Sequence, residues 1–153
     1  MKFNKIILAL LVVFILTAGI SIISAQEVTV GDISFDVPGN YSINKTTDDS
    51  CIMKNNNSDN YTLSVLLSES SDLALEKSSR MNSGFTFLSE DNYTSVNGID
   101  INQQNFKKNE TYFSFYTLNV DNSSYMVMYS FPVEDNNLNN QDNPVTEIID
   151  SIQ

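Results

Sequence analysis

The chain has 153 residues with 19 acidic and eight basic side chains, so its formal net charge is −11. Histidine is absent and Cys51 is the single cysteine, which excludes Ser-His-Asp and Cys-His catalysis, histidine metal sites and a disulfide within the chain. The basic residues form no cluster larger than the pair Lys107-Lys108, so we expect no nucleic acid among the partners.

Residues 1–25 have the pattern of an export signal. Lys2 and Lys5 precede an apolar run over residues 6–23, and small residues end the segment at Ala25. The run has 18 residues, the lower limit for crossing a bilayer, so an uncleaved N-terminal membrane anchor is the alternative to a signal peptide cleaved after Ala25. In both cases the two lysines hold the N-terminus in the cytoplasm and direct the rest of the chain outward. We therefore predict an extracellular or cell-surface protein that contacts the membrane only through residues 6–23, if these are retained.

Residues 26–153 are predicted to form a single globular domain. Their 128 residues suffice for one hydrophobic core and are too few for two domains. This part contains all 19 acidic residues and six of the eight basic ones, a formal charge of −13. Nucleic acid and anionic lipid surfaces would be repelled. We expect the partner to be another envelope or surface protein.

The first half of the domain shows short strand patterns. The stretch "VTVGDISFDVP" alternates apolar and polar residues and predicts one strand that ends at Pro38. Two short strands, "YSI" and "SCIMK", follow, and the second places Cys51 where a buried, unreactive thiol is expected. The stretch "NYTLSVLLS" predicts a further strand with Leu63, Val65 and Leu67 on one face.

A helix and a hairpin are predicted next. Residues 70–84 favour a helix with Ser71 or Asp72 as N-cap and Gly84 as the residue that ends it. The stretch "YTSVNGIDIN" predicts two short strands around Asn97-Gly98, with both turn residues at positive φ.

The last part of the chain predicts two long aromatic strands and a helix. "TYFSFYTLNV" and "SYMVMYSFP" form a hairpin whose strands are apolar on both faces, so both faces need cover. "NPVTEIIDSIQ" predicts a helix capped by Asn143, with Pro144 at its first position and an apolar stripe. The expected fold class is α+β, an antiparallel sheet covered by helices on both faces, after the N-terminal signal or anchor helix.

The order of these elements resembles a known family. The strand end "SFDVPGNYSI", the mid-chain helix, the "NGIDI" hairpin, the two aromatic strands and the final "VTEIIDSI" helix are similar to the PsbP-like fold over nearly all of residues 28–153. That fold is an α/β/α sandwich shared by an extrinsic photosystem subunit and a Ran-binding import factor. The resemblance implies a protein that binds other proteins or metal-stabilised complexes. It carries over no functional residue, because the histidines that some relatives use for metals have no counterpart in this chain.

Calcium is the metal that the sequence favours most. The stretch "DNNLNNQDNPVTE" places Asp135, Asn137 and Asn139 at positions 1, 3 and 5 of an EF-hand-like loop. The position that should hold the closing acid is Thr146. We therefore predict a solvated asparagine-rich loop and no bound cofactor.

Paired carboxylates could support hydrolysis without histidine. The pairs Asp32/Asp36, Asp48/Asp49 and Glu90/Asp91 are candidates, but 19 acidic residues produce such pairs by chance. Tryptophan, which would stack a sugar, is absent. We expect no catalysis.

Potential asparagine-linked glycosylation sites are somewhat more frequent in this chain than chance predicts. There are seven Asn-x-Ser/Thr triplets, whereas the counts of these residue types predict about four by chance. All seven are predicted to lie at strand ends or in loops, where a glycan fits: Asn40, Asn44, Asn56, Asn60, Asn92, Asn109 and Asn122.

The sequence therefore predicts an exported, non-catalytic protein that acts as a cell-surface or extracellular binding or accessory module. A secreted carboxylate-dependent hydrolase and a calcium-dependent surface module remain the alternatives. A cleft lined by two close acids would favour the hydrolase, and converging oxygens at residues 135–143 would favour the calcium module.

Overall fold

A computed structural model of the chain describes residues 26–68, 72–135, 138 and 143–153. The predicted signal or anchor at residues 1–25 lies outside this part. Within the described residues, no helix has the length and apolar character needed to cross a membrane.

The described chain forms nine strands, two α-helices and one short 3₁₀ turn. The strands are β1 (Glu27–Val30), β2 (Ile33–Asp36), β3 (Tyr41–Thr47), β4 (Ser50–Asn55), β5 (Thr62–Ser68), β6 (Thr86–Thr94), β7 (Asp100–Lys108), β8 (Thr111–Val120) and β9 (Ser123–Pro132). The helices are α1 (Leu73–Asn82) and α2 (Pro144–Asp150), and the 3₁₀ turn is Val133–Asp135. The architecture is α+β, as predicted.

Seven of the strands form one antiparallel sheet in the order β3-β4-β5-β9-β8-β7-β6. The aromatic strands β8 and β9 pair along their whole length, from Thr111↔Pro132 to Val120↔Ser123. They lie near the middle of the sheet, whereas β3 and β6 form its edges. Both edges of the central hairpin are therefore paired, β9 with β5 and β8 with β7.

The stretch predicted as one opening strand is a separate two-stranded hairpin, β1-β2. Gly31 has φ +57°, a backbone conformation that reverses the chain and that side chains with a Cβ rarely adopt. The Gly31 N–H donates to the carbonyl of Asp48, and the Asp32 N–H donates to the Tyr125 hydroxyl at 3.1 Å. The single-strand prediction was wrong, because the apolar alternation of Val28 and Val30 shifts by one position before it resumes at Ile33, and Gly31-Asp32 at this shift form the tight turn.

One face of the large sheet, here called the first face, carries the main hydrophobic core. Strands β4, β5, β8 and β9 contribute side chains that are almost completely buried, including Cys51, Val65, Leu118 and Val127. Burial raises the pKa of the Cys51 thiol, which agrees with the predicted unreactive cysteine.

The β1-β2 hairpin and α2 together cover the first face. Val145, Ile148 and Ile149 of α2 are buried in the same cluster as the hairpin residues. Asn143 caps α2 by accepting from the Val145 N–H at 2.9 Å, as predicted. The N–H of Ser34 donates to the carbonyl of Gln153, and the N–H of Gln153 donates to the carbonyl of Ser34. These bonds join the hairpin to the end of the chain, so the two pieces act as one cover.

The opposite face of the sheet, the second face, carries a phenylalanine cluster. Phe85, Phe87, Phe106, Phe113 and Phe115 contact one another, mostly edge to face, with ring centroids 5.1–6.5 Å apart. Edge-to-face contacts of this kind add to the stabilisation from burial alone. The second face is therefore apolar at its centre, as the alternation in β8 predicts.

Helix α1 has the predicted ends but an unusual inner surface. Asp72 caps it by accepting from the Leu75 N–H at 3.0 Å. At its other end Gly84 has φ +86°, and the Gly84 and Phe85 N–H groups donate back to the carbonyls of Met81 and Arg80. No residue of α1 is buried. The helix therefore depends on polar and charged contacts with the sheet rather than on an apolar stripe.

Strands β6 and β7 are much longer than the short predicted hairpin. Each has nine residues, and β7 includes the polar run "NQQN". The turn between them contains Gly98 at φ +85°, but Asn97 is not at positive φ, contrary to the prediction. Its side chain instead donates to the carbonyl of Ile149 at 2.9 Å. The polar run gave no strand signal because it has no apolar alternation, although it pairs with the neighbouring strands β6 and β8.

We expect Ile149→Asp to unfold the domain. Ile149 is 2% exposed, and a buried charge without a partner costs several kcal/mol against a total stability of about 5–15 kcal/mol. Val96→Asp, at a position that is 87% exposed, is the matched control and should melt like the parent. Thermal unfolding of the full chain followed by circular dichroism measures both. A parent-like melting curve for Ile149→Asp would contradict the core position of α2.

Candidate functional site

A groove of about 590 Å³ lies between β6, the β6–β7 turn and α2. We call it the β6–α2 groove. Its lining combines apolar side chains with hydroxyl, amide and carboxylate groups: Asp91, Asn92, Tyr93, Thr94, Ser95, Val96, Ile101, Gln103, Leu138, Asn143, Thr146, Ile149 and Asp150. A concave surface with an apolar part and a few polar groups is the usual form of a binding site.

Hydrogen bonds between distant parts of the chain fix the walls of this groove. The Asn97 side chain donates to the carbonyl of Ile149, which attaches the β6–β7 turn to α2. The Asn143 side chain donates to the Tyr116 hydroxyl at 3.1 Å, which attaches the start of α2 to the sheet. The groove is therefore held open between two anchored walls.

The charged groups of the β6–α2 groove are all acidic. Asp91 and Asp150 line it, whereas no lysine or arginine is among the lining residues that the structure describes. Burial raises the pKa of Tyr93, and the negative charge of Asp150 raises it further. The groove therefore favours a ligand that brings a positive group together with an apolar one.

Exposed apolar side chains occur at the β6–α2 groove and on α1. Among the described residues, the large hydrophobic side chains that are substantially exposed all fall between positions 75 and 96: Leu75, Met81, Leu88, Tyr93 and Val96. Tyr93 and Val96 also line the groove. The rim of the groove therefore carries two exposed apolar side chains beside its acidic groups.

The structure places only one of the three predicted calcium residues. Asp135 is exposed in the 3₁₀ turn and accepts a hydrogen bond from the Tyr61 hydroxyl, which raises the pKa of Tyr61 to about 12. Asn137 and Asn139 lie outside the described residues. The described part of the chain contains no group of three or more acidic or cysteine side chains that could hold a metal ion.

None of the three carboxylate pairs that the sequence suggested is the pair that lines the groove. Glu90 and Asp91 are consecutive residues of β6, so their side chains point to opposite faces of the sheet. Glu90 is bound by Lys77 at 3.0 Å and by Asn102, and hydrogen bonds from Asn102 and Lys77 hold its pKa below the usual range. The acid that accompanies Asp91 in the groove is Asp150, from the other end of the chain.

The other two carboxylate pairs lie away from the groove. Asp32 and Asp36 belong to the β1-β2 hairpin, at its turn and at the end of β2. Asp48 and Asp49 form the turn between β3 and β4. None of the four lines the β6–α2 groove.

Five of the seven predicted glycosylation sites are exposed in turns or loops: Asn40, Asn56, Asn60, Asn109 and Asn122. The prediction was wrong for the other two, because Asn44 lies within β3 and Asn92 within β6. Both strands are sheet edges, and both side chains are exposed. Asn92 also accepts a hydrogen bond from Asn102 at 2.9 Å. Glycosylation itself remains a prediction.

A charged cluster between α1 and the second face has a structural role. Arg80 donates to Glu76 at 2.7 Å and to the buried Gln104 at 2.9 Å, and its guanidinium lies 4.0 Å from the centre of the Phe115 ring. The Lys77 ammonium lies 3.5 Å from the centre of the Phe87 ring. Cations over aromatic faces are attracted by the ring quadrupole, more strongly where water is excluded. These contacts hold α1 against the sheet.

The strand order, the length of the central hairpin and the covered first face can be compared with solved structures. The chain is similar to the solution structure of the cyanobacterial PsbP from Synechocystis sp. PCC 6803, with a TM-score of 0.59 over 88% of this chain and 95% of that chain. The chain has a PsbP-like fold. The sequence identity is 15%, so the likeness concerns the fold alone.

A second similar structure comes from Bacteroides thetaiotaomicron VPI-5482. Its TM-score is 0.50 at 10% identity, over 86% of this chain and 48% of that chain. No family model matches the PsbP-like chain, and no curated protein sequence matches it. The predicted fold resemblance is therefore confirmed by three-dimensional similarity, whereas the function has to be argued from the chain's own residues.

We expect Arg80→Ala to destabilise the domain by about 1–3 kcal/mol, because Gln104 loses a charged donor and Phe115 loses its cation. Arg80→Lys keeps the charge but not the planar guanidinium group, so its loss of stability should lie between those of the parent and Arg80→Ala. Lys54→Ala, at an exposed position of β4, is the control and should change stability by less than about 0.5 kcal/mol. Urea denaturation of the full chain measures all three. Equal midpoints for Arg80→Ala and Lys54→Ala would contradict the role of Arg80.

We expect no calcium site of micromolar affinity at Asp135. Its carboxylate is engaged by Tyr61, and Thr146, at the position of the closing ligand, is already within α2. Calorimetric titration of the full chain with calcium should give the same result for the parent, Asp135→Ala and the control Asp59→Ala. A micromolar affinity that only Asp135→Ala abolishes would contradict this expectation.

Proposed function

We propose that this protein is an exported, non-catalytic binding or accessory module that engages another surface protein through the β6–α2 groove. The observation that carries the proposal is the exposure of Tyr93 and Val96, 43% and 87%, on the rim of a groove that they share with Asp91 and Asp150. Apolar side chains in such a position are desolvated when a partner docks.

Export rests on the sequence of residues 1–25. Two lysines and an apolar run form a signal peptide, or an anchor helix if cleavage does not occur. The domain then lies at the cell surface or outside the cell, where its formal charge of −13 keeps it dispersed and its exposed asparagine sites meet glycosylation enzymes if the host has them.

We also propose that α1 is the cover of the second face, so that helices lie on both faces of the sheet as in an α/β/α sandwich. Arg80 supports this role, because it reaches Gln104 and contacts the Met126 sulfur, and both residues lie on the second face by strand register.

Binding is favoured over catalysis by the chemistry of the groove. Its lining residues include no cysteine, and the chain has no histidine, so an activated nucleophile would need carboxylates alone. A carboxylate-dependent hydrolase is the second candidate function, because Asp91 and Asp150 line the same concavity. The hydrolase function would be established if the protein hydrolysed an oligosaccharide and both Asp91→Asn and Asp150→Asn lost this activity.

The binding proposal is tested on intact cells of the native host that express the full chain with a C-terminal tag. External protease should remove the domain, and a cell-impermeant crosslinker should join it to a neighbouring surface protein. The double variant Tyr93→Ser/Val96→Ser should lose this product. Leu75→Ser, a 64% exposed apolar residue on α1, is the control and should keep it.

Two results would contradict the proposal. A full-length chain found in the cytoplasm would exclude export. A crosslinked product that persists in the double variant would exclude the β6–α2 groove as the contact.

A further inference from the structure

Strand β6 is an edge of the seven-stranded sheet, and no described strand pairs with its outer side. Seven of its nine residues are exposed. The backbone of an edge strand presents N–H and C=O groups that can pair with another extended chain. Proteins usually prevent such pairing with bulges or charges, so the local regularity of the edge decides whether a strand can be added.

The two edges of the sheet differ in regularity. In β6 a bulge between Phe87 and Ser89 is followed by six consecutive pairs with β7, from Ser89↔Asn105 to Thr94↔Asp100. In β3 a bulge between Ile43 and Lys45 leaves three pairs on either side. The segment Ser89–Thr94 is therefore the longer regular edge, and it lies along the β6–α2 groove.

The two edges also differ in charge. Asp91 and Tyr93 are two positions apart on β6, so both side chains point to the first face. Both line the groove, where Asp150 provides a second carboxylate. On β3 the charged side chain is that of Lys45. An added strand beside β6 would place every second side chain over the groove, one beside Asp91 and the next beside Tyr93.

A second copy of this chain does not fit the same edge. Pairing two β6 strands would bring Glu90 and Asp91 of one copy toward the same residues of the other, and each domain has a formal charge of −13. Like charges opposite each other across a strand pair are destabilising. The charge distribution therefore selects a partner of opposite sign.

We infer that the β6 edge and the β6–α2 groove bind an extended, positively charged peptide segment of a partner protein, which adds as a strand beside Ser89–Thr94. Its side chains over the groove alternate between lysine or arginine, paired with Asp91 and Asp150, and an apolar residue against Tyr93. This inference rests on the proposed binding function and adds the chemical class of the partner.

The inference is tested with a fluorescent peptide, Lys-Thr-Val-Thr-Lys-Thr-Val-Thr-Lys, and the full chain in mild detergent. Anisotropy should show binding that weakens as salt is raised. Glutamate in place of lysine should abolish binding, and N-methylation of alternate peptide groups on the pairing side should abolish it as well, because the added strand then lacks its donors. Both changes are in the peptide, so neither disturbs the protein fold.

Protein variants identify the site. Asp91→Asn and Asp150→Asn should each weaken the binding of the lysine peptide about fivefold, because each removes one carboxylate partner. Asp59→Asn, in the exposed loop between β4 and β5, is the matched control and should leave the affinity unchanged. Amide hydrogen exchange should slow within residues 89–94 on binding, and exchange in β3 should not change.

Several results would overturn the inference. The first is that the N-methylated peptide binds as tightly as the unmodified one, and the second is that amide exchange slows in β3 instead of β6. The third is that the lysine peptide does not bind at low salt. The fourth is that the peptide-free chain sediments as a dimer that Asp91→Lys disrupts or strengthens. Crosslinking on cells is independent of these readouts. If the crosslinked product depends on Tyr93 and Val96 but the peptide does not bind, strand addition fails and the binding function stands.

Discussion

The structure depends on one constraint, which is that the central strands β8 and β9 are apolar on both faces. Phe113 and Phe115 alternate with Tyr116 and Leu118 along β8, so neither face of the hairpin can meet water. Each face therefore needs a cover. The contacts on the two faces use different chemistry. The first face is buried under apolar residues of the β1-β2 hairpin and α2, whereas contacts of cations with phenylalanine rings join α1 to the second face.

The first cover determines where a binding surface can form. Helix α2 has seven residues, and three of them, Thr146, Ile149 and Asp150, line the groove together with residues of β6. The Asn97 side chain connects the β6–β7 turn to the last turn of this helix. The result is a groove whose floor includes Ile101 and Ile149, residues that belong to the core and its margin. The groove therefore lies between the helix that covers the first face and the edge strand β6.

The contacts around α1 use much of the positive charge of the domain. The domain has six basic residues, and three of them, Lys77, Arg80 and Lys108, lie over phenylalanine rings. In the described chain the ion pairs are those of Lys77 with Glu90 and Arg80 with Glu76, both within this cluster. None of the six basic residues lines the β6–α2 groove. Stabilising α1 therefore leaves the β6–α2 groove with an acidic character.

The sequence by itself determined the elements whose signals are local. Capping at Asp72 and Asn143, the stop at Gly84 and the two-faced alternation of β8 and β9 were sufficient for the helix ends, the central hairpin and the α+β class, because each depends on residues a few positions apart. Tertiary structure decided the rest. Strands β6 and β7 form a local hairpin but lack apolar alternation, so periodicity gave no sign of their length. Asp91 and Asp150 line one groove although they are distant along the chain, and periodicity carries no information about such an arrangement.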